Sequence, residues 1–382
     1  MWEVQTGNPV ALAHCRKGAP MKILVTGNMG YVGPAVVRRL RAQYPGAVIH
    51  GYDSGFFAHC LTTQEGMPER RLDCQIFDDV RNVRRSDLDG YDAVILLAAI
   101  SNDPMGERFS AVTRAVNQDA AVSIAKAAGA AGVRNLVFAS SCSVYGVADG
   151  PPRREEDPVD PRTAYAASKV GTEQALSAIE GDMTITCLRF ATACGMSDRL
   201  RLDLVLNDFV ASALSKGRIE ILSDGTPWRP MIDTADMARA IDWAATRPAE
   251  NGGRYLVVNV GANEANYRVR DLAEAVATAV PGCAVSLNRD APVDSRSYRV
   301  DFSRFAELAP DHLPQTSLAT SVQELIAGLT NLGFADRDFR SSGLIRLQTL
   351  KQLIAEGQLS EDLTWTRGAP RSVAIRREEV EA

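Results

Sequence analysis

One turn restricts the fold of this chain more than any other feature. TGNMGYVG at residues 26–33 places glycines at 27, 30 and 33, after the apolar run KILV and before a stretch with helical spacing. Missing Cβ atoms permit a tight turn and let a backbone approach a pyrophosphate, which then sits at the positive end of a helix dipole. Such a turn belongs between the first strand and first helix of a parallel sheet. The rest of the first half agrees. MKILVTG, GAVIHGYD, YDAVILLAA, VRNLVFASS and TITCLRF read as buried strands, while GPAVVRRLRAQ, RAVNQDAAVSIAKAAGAAG and TAYAASKVGTEQALSAI carry apolar residues at helical spacing. The expected fold class is α/β, a Rossmann-type doubly wound parallel sheet with a smaller, discontinuous α/β substrate-binding lobe.

Domain boundaries follow from where this rhythm breaks. Residues 1–20 lack a strand or helix pattern and are expected to be a disordered N-terminal extension. Residues 21–190 form the dinucleotide-binding part, with 231–262 returning to it. Residues 191–230 and 263–335 make the substrate lobe. Residues 336–382 form a C-terminal helical extension, in which Leu344, Leu347, Leu350, Leu353 and Ile354 share one stripe.

Composition narrows the function. The net charge is −5 with no long basic stripe, so nucleic acid is not an expected partner. The longest apolar run, AVILLAAI at 93–100, has the length of a buried strand and not of a membrane span. The 7 cysteines form no CxxC pair, and the 4 histidines include no HExxH, so no disulfide framework or metal site is expected. A reducing cytoplasm is the expected compartment.

Asp53 ends the second strand about twenty residues past the glycines, where a carboxylate accepts hydrogen bonds from the adenosine ribose. It would repel a 2′-phosphate, and no Arg follows in DSGFFAHC, so NAD is expected over NADP. Tyr165 and Lys169 lie four apart in a helical stretch and so share a face. A phenol is a poor base at neutral pH. A nearby ammonium, together with a positive nicotinamide, lowers its pKa.

These motifs resemble the extended short-chain dehydrogenase/reductase family, in particular its NAD-dependent nucleotide-sugar epimerase/dehydratase group, typified by UDP-galactose 4-epimerase. TGNMGYVG, VILLAA, Asn117, FASSCSVYG, YAASK and DGTPWRPMIDTADMARAI fall in the family's order. The resemblance implies Tyr165 as base, Lys169 as the group holding the nicotinamide ribose, and Ser141 as the hydroxyl bonding the sugar. It implies cofactor contacts from Gly27, Gly30, Tyr31, Val32, Gly33, Asp53, Ser54, Asp79, Val80, Leu97, Ala98, Ala99 and Asn117. Substrate contacts are implied for Thr192, Asn207, Arg229, Arg296 and Tyr298, with guanidinium suited to bidentate bonds with phosphate. Thr192 stands where the family strand carries Asn.

Cys142 and Ser143 occupy the positions of the acid and base of sugar dehydratases, so dehydration lacks its groups. The implied activity is NAD-dependent epimerisation of a UDP, dTDP or GDP sugar by transient oxidation at C4, in a homodimer. Two alternatives stay open: a net keto-sugar reductase or dehydrogenase, and a C3/C5 epimerase using Cys142.

Overall fold

The structure is a computed structural model that describes residues 20–147, 150–288, 297–366 and the backbone of 373–376. Residues 1–19 of the extension expected at 1–20 and the substrate candidate Arg296 lie outside the described residues. Aliphatic runs become strands wherever both faces are covered. β1 (Lys22–Thr26) is buried from Ile23 onward, and its flanks are β2 (Val48–Asp53) and β4 (Ala93–Leu96), with Ile23 level with Ile49 on one side and Ala93 on the other. β3 (Cys74–Phe77) extends the sheet beyond β2. β5 (Asn135–Ser141) and β6 (Thr184–Phe190) extend it beyond β4. Two strands come from later chain, the small-lobe strand β7 (Thr192–Cys194) aside: β10 (Tyr255–Val260) pairs parallel with β6, and β13 (Val373–Arg376) pairs antiparallel with β3.

Seven parallel strands thus run in the order β10-β6-β5-β4-β1-β2-β3. The order reverses between β1 and β4, and at such a switch point the loops diverge and leave a crevice beyond the carboxyl ends of the strands. Helix α1 (Gly33–Gln43) and the later helix Thr234–Thr246 cover one face, while helices Ala121–Ala130 and Ala164–Ser177 cover the other. The fold class is the Rossmann-type one that the glycine turn and strand rhythm call for.

The smaller lobe gathers separated pieces. β7 and β9 (Trp228–Asp233) run parallel, β11 (Asn266–Arg268) joins them antiparallel, and β8 (Arg218–Ile221) pairs with β12 (Ala284–Leu287). Its core packs Leu206, Val210, Leu272, Val276 and Leu325 from three helices. The leucine stripe of the C-terminal helix (Arg346–Ala355) packs on the chain's own first half: Leu350 and Leu353 meet Ile100, Met105 and Phe109. No helix among the described residues is long and apolar enough to cross a membrane.

Candidate functional site

The glycine turn is held by contacts that no side chain could share. Gly27 has φ +74°, its N–H donates to Tyr52 O at 2.9 Å, and a Cβ there would lie 2.4 Å from Ala98 N. A Cβ at Gly33 would lie 2.2 Å from Asn28 O. Helix α1 then starts without a side-chain cap or an acidic residue in its first turn, which leaves its first N–H groups and positive end to a ligand. Asp53 fastens the turn: its Oδ2 accepts from Met29 N at 3.0 Å and its Oδ1 from Gly55 N at 2.7 Å. Burial raises its pKa against those two N–H bonds and the pull of Arg199. That arginine is already engaged by Glu69 at 2.6 Å and by the carbonyls of Phe57 and Ala58. It is therefore not available to a 2′-phosphate.

Across the sheet, Thr163 caps the helix Ala164–Ser177, accepting from Ala166 N at 3.2 Å, and sends Tyr165 and Lys169 toward the ends of β4 and β5. The Lys169 ammonium donates to Ala139 O at 2.7 Å and stands 5.4 Å from the centre of the Tyr165 ring. Burial lowers Lys169 to about 8, opposed by Glu173. Burial raises Tyr165 to about 12, opposed by a hydrogen bond with the Ser141 hydroxyl and by the Arg201 charge. The phenol is thus not lowered by the protein's own groups. Beneath it, Glu173 accepts from Ser140 Oγ at 2.5 Å and pairs with Arg189 at 2.7 Å, and Arg189 donates to Tyr145 OH at 2.9 Å. This buried network fixes the end of β5 that carries Ser141.

One cleft brings together Gly27, Gly30, Tyr31, Val32, Gly33, Asp53, Asp79, Val80, Leu97, Ala98, Ala99, Ser141, Tyr165, Lys169, Thr192, Arg229 and Tyr298, with Ser54. Both carboxylate oxygens of Asp79 are taken by Arg81, at 2.6 and 2.9 Å. Two expected residues do not line the cleft. Asn117 sits in a π-helical turn, Ala115–Ala120, that rotates its amide inward, where it exchanges bonds with the Ile100 backbone at 2.8 and 3.0 Å and donates to Ser168 at 3.1 Å. It shapes the loop after β4 and does not itself line the cleft. Asn207 is fully buried, donating to Tyr31 OH at 3.0 Å and Arg201 O at 2.9 Å and accepting from Gly195 N, so both its N–H donors are used within the protein and its amide lies away from the cleft. The Cys142 thiol is likewise turned away, donating to Arg189 O at 3.0 Å, and burial pushes it well up.

Sequence reasoning missed Ser101, Asn102, Arg201, Asp203 and Arg346, all in the lining, and noted Ser143, also in the lining, only as the occupant of a dehydratase position. Ser143 Oγ is buried with no hydrogen-bond partner among the described residues. Arg201 donates to Ser101 Oγ at 2.7 Å and pairs with Asp203 at 2.9 Å, and Asn102 donates to Asp203 at 2.6 Å. Burial opposes it, yet this pairing holds the Asp203 carboxyl below its usual value. A signal was present: in RLRLD at 199–203, charged residues alternate with Leu200 and Leu202, and the structure buries both leucines and brings Arg201 and Asp203 to the cleft, while Arg199 is buried against Glu69.

Comparison with known proteins agrees with this geometry. UDP-glucose 4-epimerase of Streptomyces lividans is 30% identical over 67% of this chain and 80% of its own length. dTDP-glucose 4,6-dehydratase of Streptomyces griseus is 26% identical over 74% of this chain and 86% of its own. The crystal structure of UDP-glucose 4-epimerase from Brucella ovis in complex with NAD superposes with a TM-score of 0.68 at 22% identity, covering 82% of this chain and 98% of that one. The sequence model of the "NAD dependent epimerase/dehydratase family" matches residues 23–261. With the glycine cradle, Asp53 and the Tyr165–Lys169 pair in one cleft, the chain belongs to this NAD-dependent family of enzymes on the extended short-chain dehydrogenase/reductase fold.

Proposed function

We propose that this enzyme epimerises C4 of a nucleotide-diphosphate sugar with NAD that stays in the cleft. The observation that carries the reading is the Ser141–Tyr165 hydroxyl pair in the same cleft as the glycine cradle, combined with the two residues next in the chain after Ser141. Where elimination needs an acid and a base, this chain has a buried Cys142 thiol and a Ser143 hydroxyl. The residues can move one proton on and off a hydroxyl, which is what reversible oxidation at one carbon requires.

When bound, NAD supplies the hydride acceptor for that oxidation and the donor for its reversal. The cradle Gly27, Gly30, Tyr31, Val32 and Gly33 receives its diphosphate, Asp53 and Ser54 its ribose, and Asp79, Val80, Leu97, Ala98 and Ala99 line its path. Lys169 holds the nicotinamide ribose and adds positive charge beside the phenol, the direction needed to bring Tyr165 down from about 12. Tyr165 takes the proton of the C4 hydroxyl while Ser141 shares that hydroxyl's hydrogen bond. Arg229 and Tyr298 grip the substrate diphosphate, and Thr192, with a shorter reach than Asn, leaves room in the sugar end. Ser143 Oγ offers that sugar a further hydrogen bond. In this reading the active unit is a homodimer joined through the helix Ala164–Ser177.

NMR of the enzyme with a panel of UDP, dTDP and GDP sugars in deuterated water tests the reading. A C4 epimer free of deuterium is expected. Deuterium at C3 or C5, or a 4-keto-6-deoxy product, overturns it.

A further inference from the structure

Part of the cleft is lined by chain far beyond residue 261, where the family match ends. From residue 343 onward the C-terminal segment is fastened to the loops after β2, β3 and β4 and to the chain at Leu202. Gly343 O accepts from the Cys60 thiol, and Leu344 O accepts from Leu202 N at 3.0 Å. Leu350 and Leu353 pack on Ile100 after β4. Arg81, after β3, donates to the carbonyls of Asp362 and Leu363, each at 3.1 Å. Trp365 Nε1 donates to Ser54 O at 2.6 Å, after β2, and its ring lies 5.6 Å from that of Phe56.

One residue of this segment is chemically incomplete. Arg346 is 1% exposed and lines the cleft. Its Nη2 donates to Arg199 O at 2.7 Å and its guanidinium stacks 4.7 Å above the Phe57 ring. Its Nη1 is buried with no hydrogen-bond partner among the described residues. Leaving such a donor unmet opposes folding, more strongly when the group is charged. The neighbouring charges do not resolve it. Arg201 and Arg199 repel it, and Asp203, which attracts it, is already held by Arg201. A buried guanidinium pair short of one acceptor calls for an anion, and the planar fork of arginine matches a phosphate.

The position of the pair indicates which anion. Arg346 stacks on Phe57, just past Asp53 on β2, and Asn207 Nδ2 ties the Arg201 carbonyl, at 2.9 Å, to the Tyr31 hydroxyl of the glycine turn, at 3.0 Å. The substrate's candidate cation, Arg229, is instead on β9 of the smaller lobe. We infer that the C-terminal segment is a clasp that completes the dinucleotide site, with Arg346 Nη1 donating to the dinucleotide's diphosphate. This rests on the proposed role of NAD as the bound cofactor. Because the clasp is bonded to the loops after β2 and β3 and packed on the loop after β4, the nucleotide leaves only when several contacts open together, which suits a cofactor reused at every turnover.

The test uses the full chain loaded with radiolabelled NAD and chased with unlabelled NAD, alongside titration with UDP. Arg346→Gln is expected to release label at least about tenfold faster while UDP affinity stays unchanged. Arg346→Lys keeps the charge and the reach to Arg199 O but loses the second nitrogen, and is expected to release label about threefold faster even if the glutamine variant does not fold. Unchanged release in the folded variants overturns the inference. Weakened UDP binding with unchanged NAD release also overturns it, because the anion is then the substrate's diphosphate. Wild-type protein that retains no label refutes the NAD reading itself, a separate failure.

Discussion

Lys169→Met makes stability and activity move in opposite directions. The lysine is 3% exposed, and burial draws its ammonium to about 8 from the 10.5 of an unfolded chain. Below pH 8 the group is charged in both states, and the difference opposes folding by about 3 kcal/mol. Above pH 8 the folded protein sheds the proton first, so stability rises with pH until about 10.5, where the unfolded chain sheds it too. Methionine removes the charge but leaves Ala139 O without its donor, a loss of about 1–2 kcal/mol. The net expectation at pH 7 is a gain of about 1–2 kcal/mol, read in nucleotide-free protein as a Tm increase of roughly 2 °C. By pH 9.5 the gap should close, since most of the wild-type penalty has gone. Turnover with NAD should fall by about a hundredfold or more, because the phenol loses its supporting cation. Thermal unfolding at the two pH values and steady-state assay of the same preparations check both halves. A variant less stable than wild type at pH 7, or a gap indifferent to pH, refutes the view that a desolvated ammonium is retained here for chemistry.

Tyr165→Phe should retain NAD yet lose at least about a thousandfold in kcat, measured by epimer formation, since Ser141 alone cannot accept the proton. Ser143→Ala should lower kcat/KM by about tenfold with Tm unchanged or slightly raised, because its hydroxyl has no partner among the described residues. Asp53→Asn keeps one acceptor for Met29 N and Gly55 N where the carboxylate has two, and it lifts the repulsion of a 2′-phosphate. NAD affinity should fall by about tenfold and the NAD-over-NADP ratio with it, read by titration with both nucleotides.

Local spacing encodes the parts of the site that are legible in the sequence. Gly27 and Gly33 are forced by contacts within the first strand–turn–helix unit and its neighbour, and Tyr165 with Lys169 needs only one helical turn. Asn117 escapes such reading because a π-helical turn, which no periodicity marks, rotates its amide to Ile100. Asn207 escapes it because its partner Tyr31 OH comes from 176 residues away. β3 is hidden because CQIF offers only four residues of pattern, and it becomes a strand by pairing with β2. Arg346 sits on a helix whose leucine stripe is legible, but its meeting with Arg201 and Phe57 is a product of tertiary packing alone.

The central claim is that hydride leaves C4 and returns to C4 within one cleft. Turnover of a nucleotide sugar deuterated at C4, in excess unlabelled NADH, tests it most directly by the isotope content of the recovered epimer. Full retention of deuterium at C4 of the product is expected. Loss of the label to the added nicotinamide pool, or to water, contradicts it.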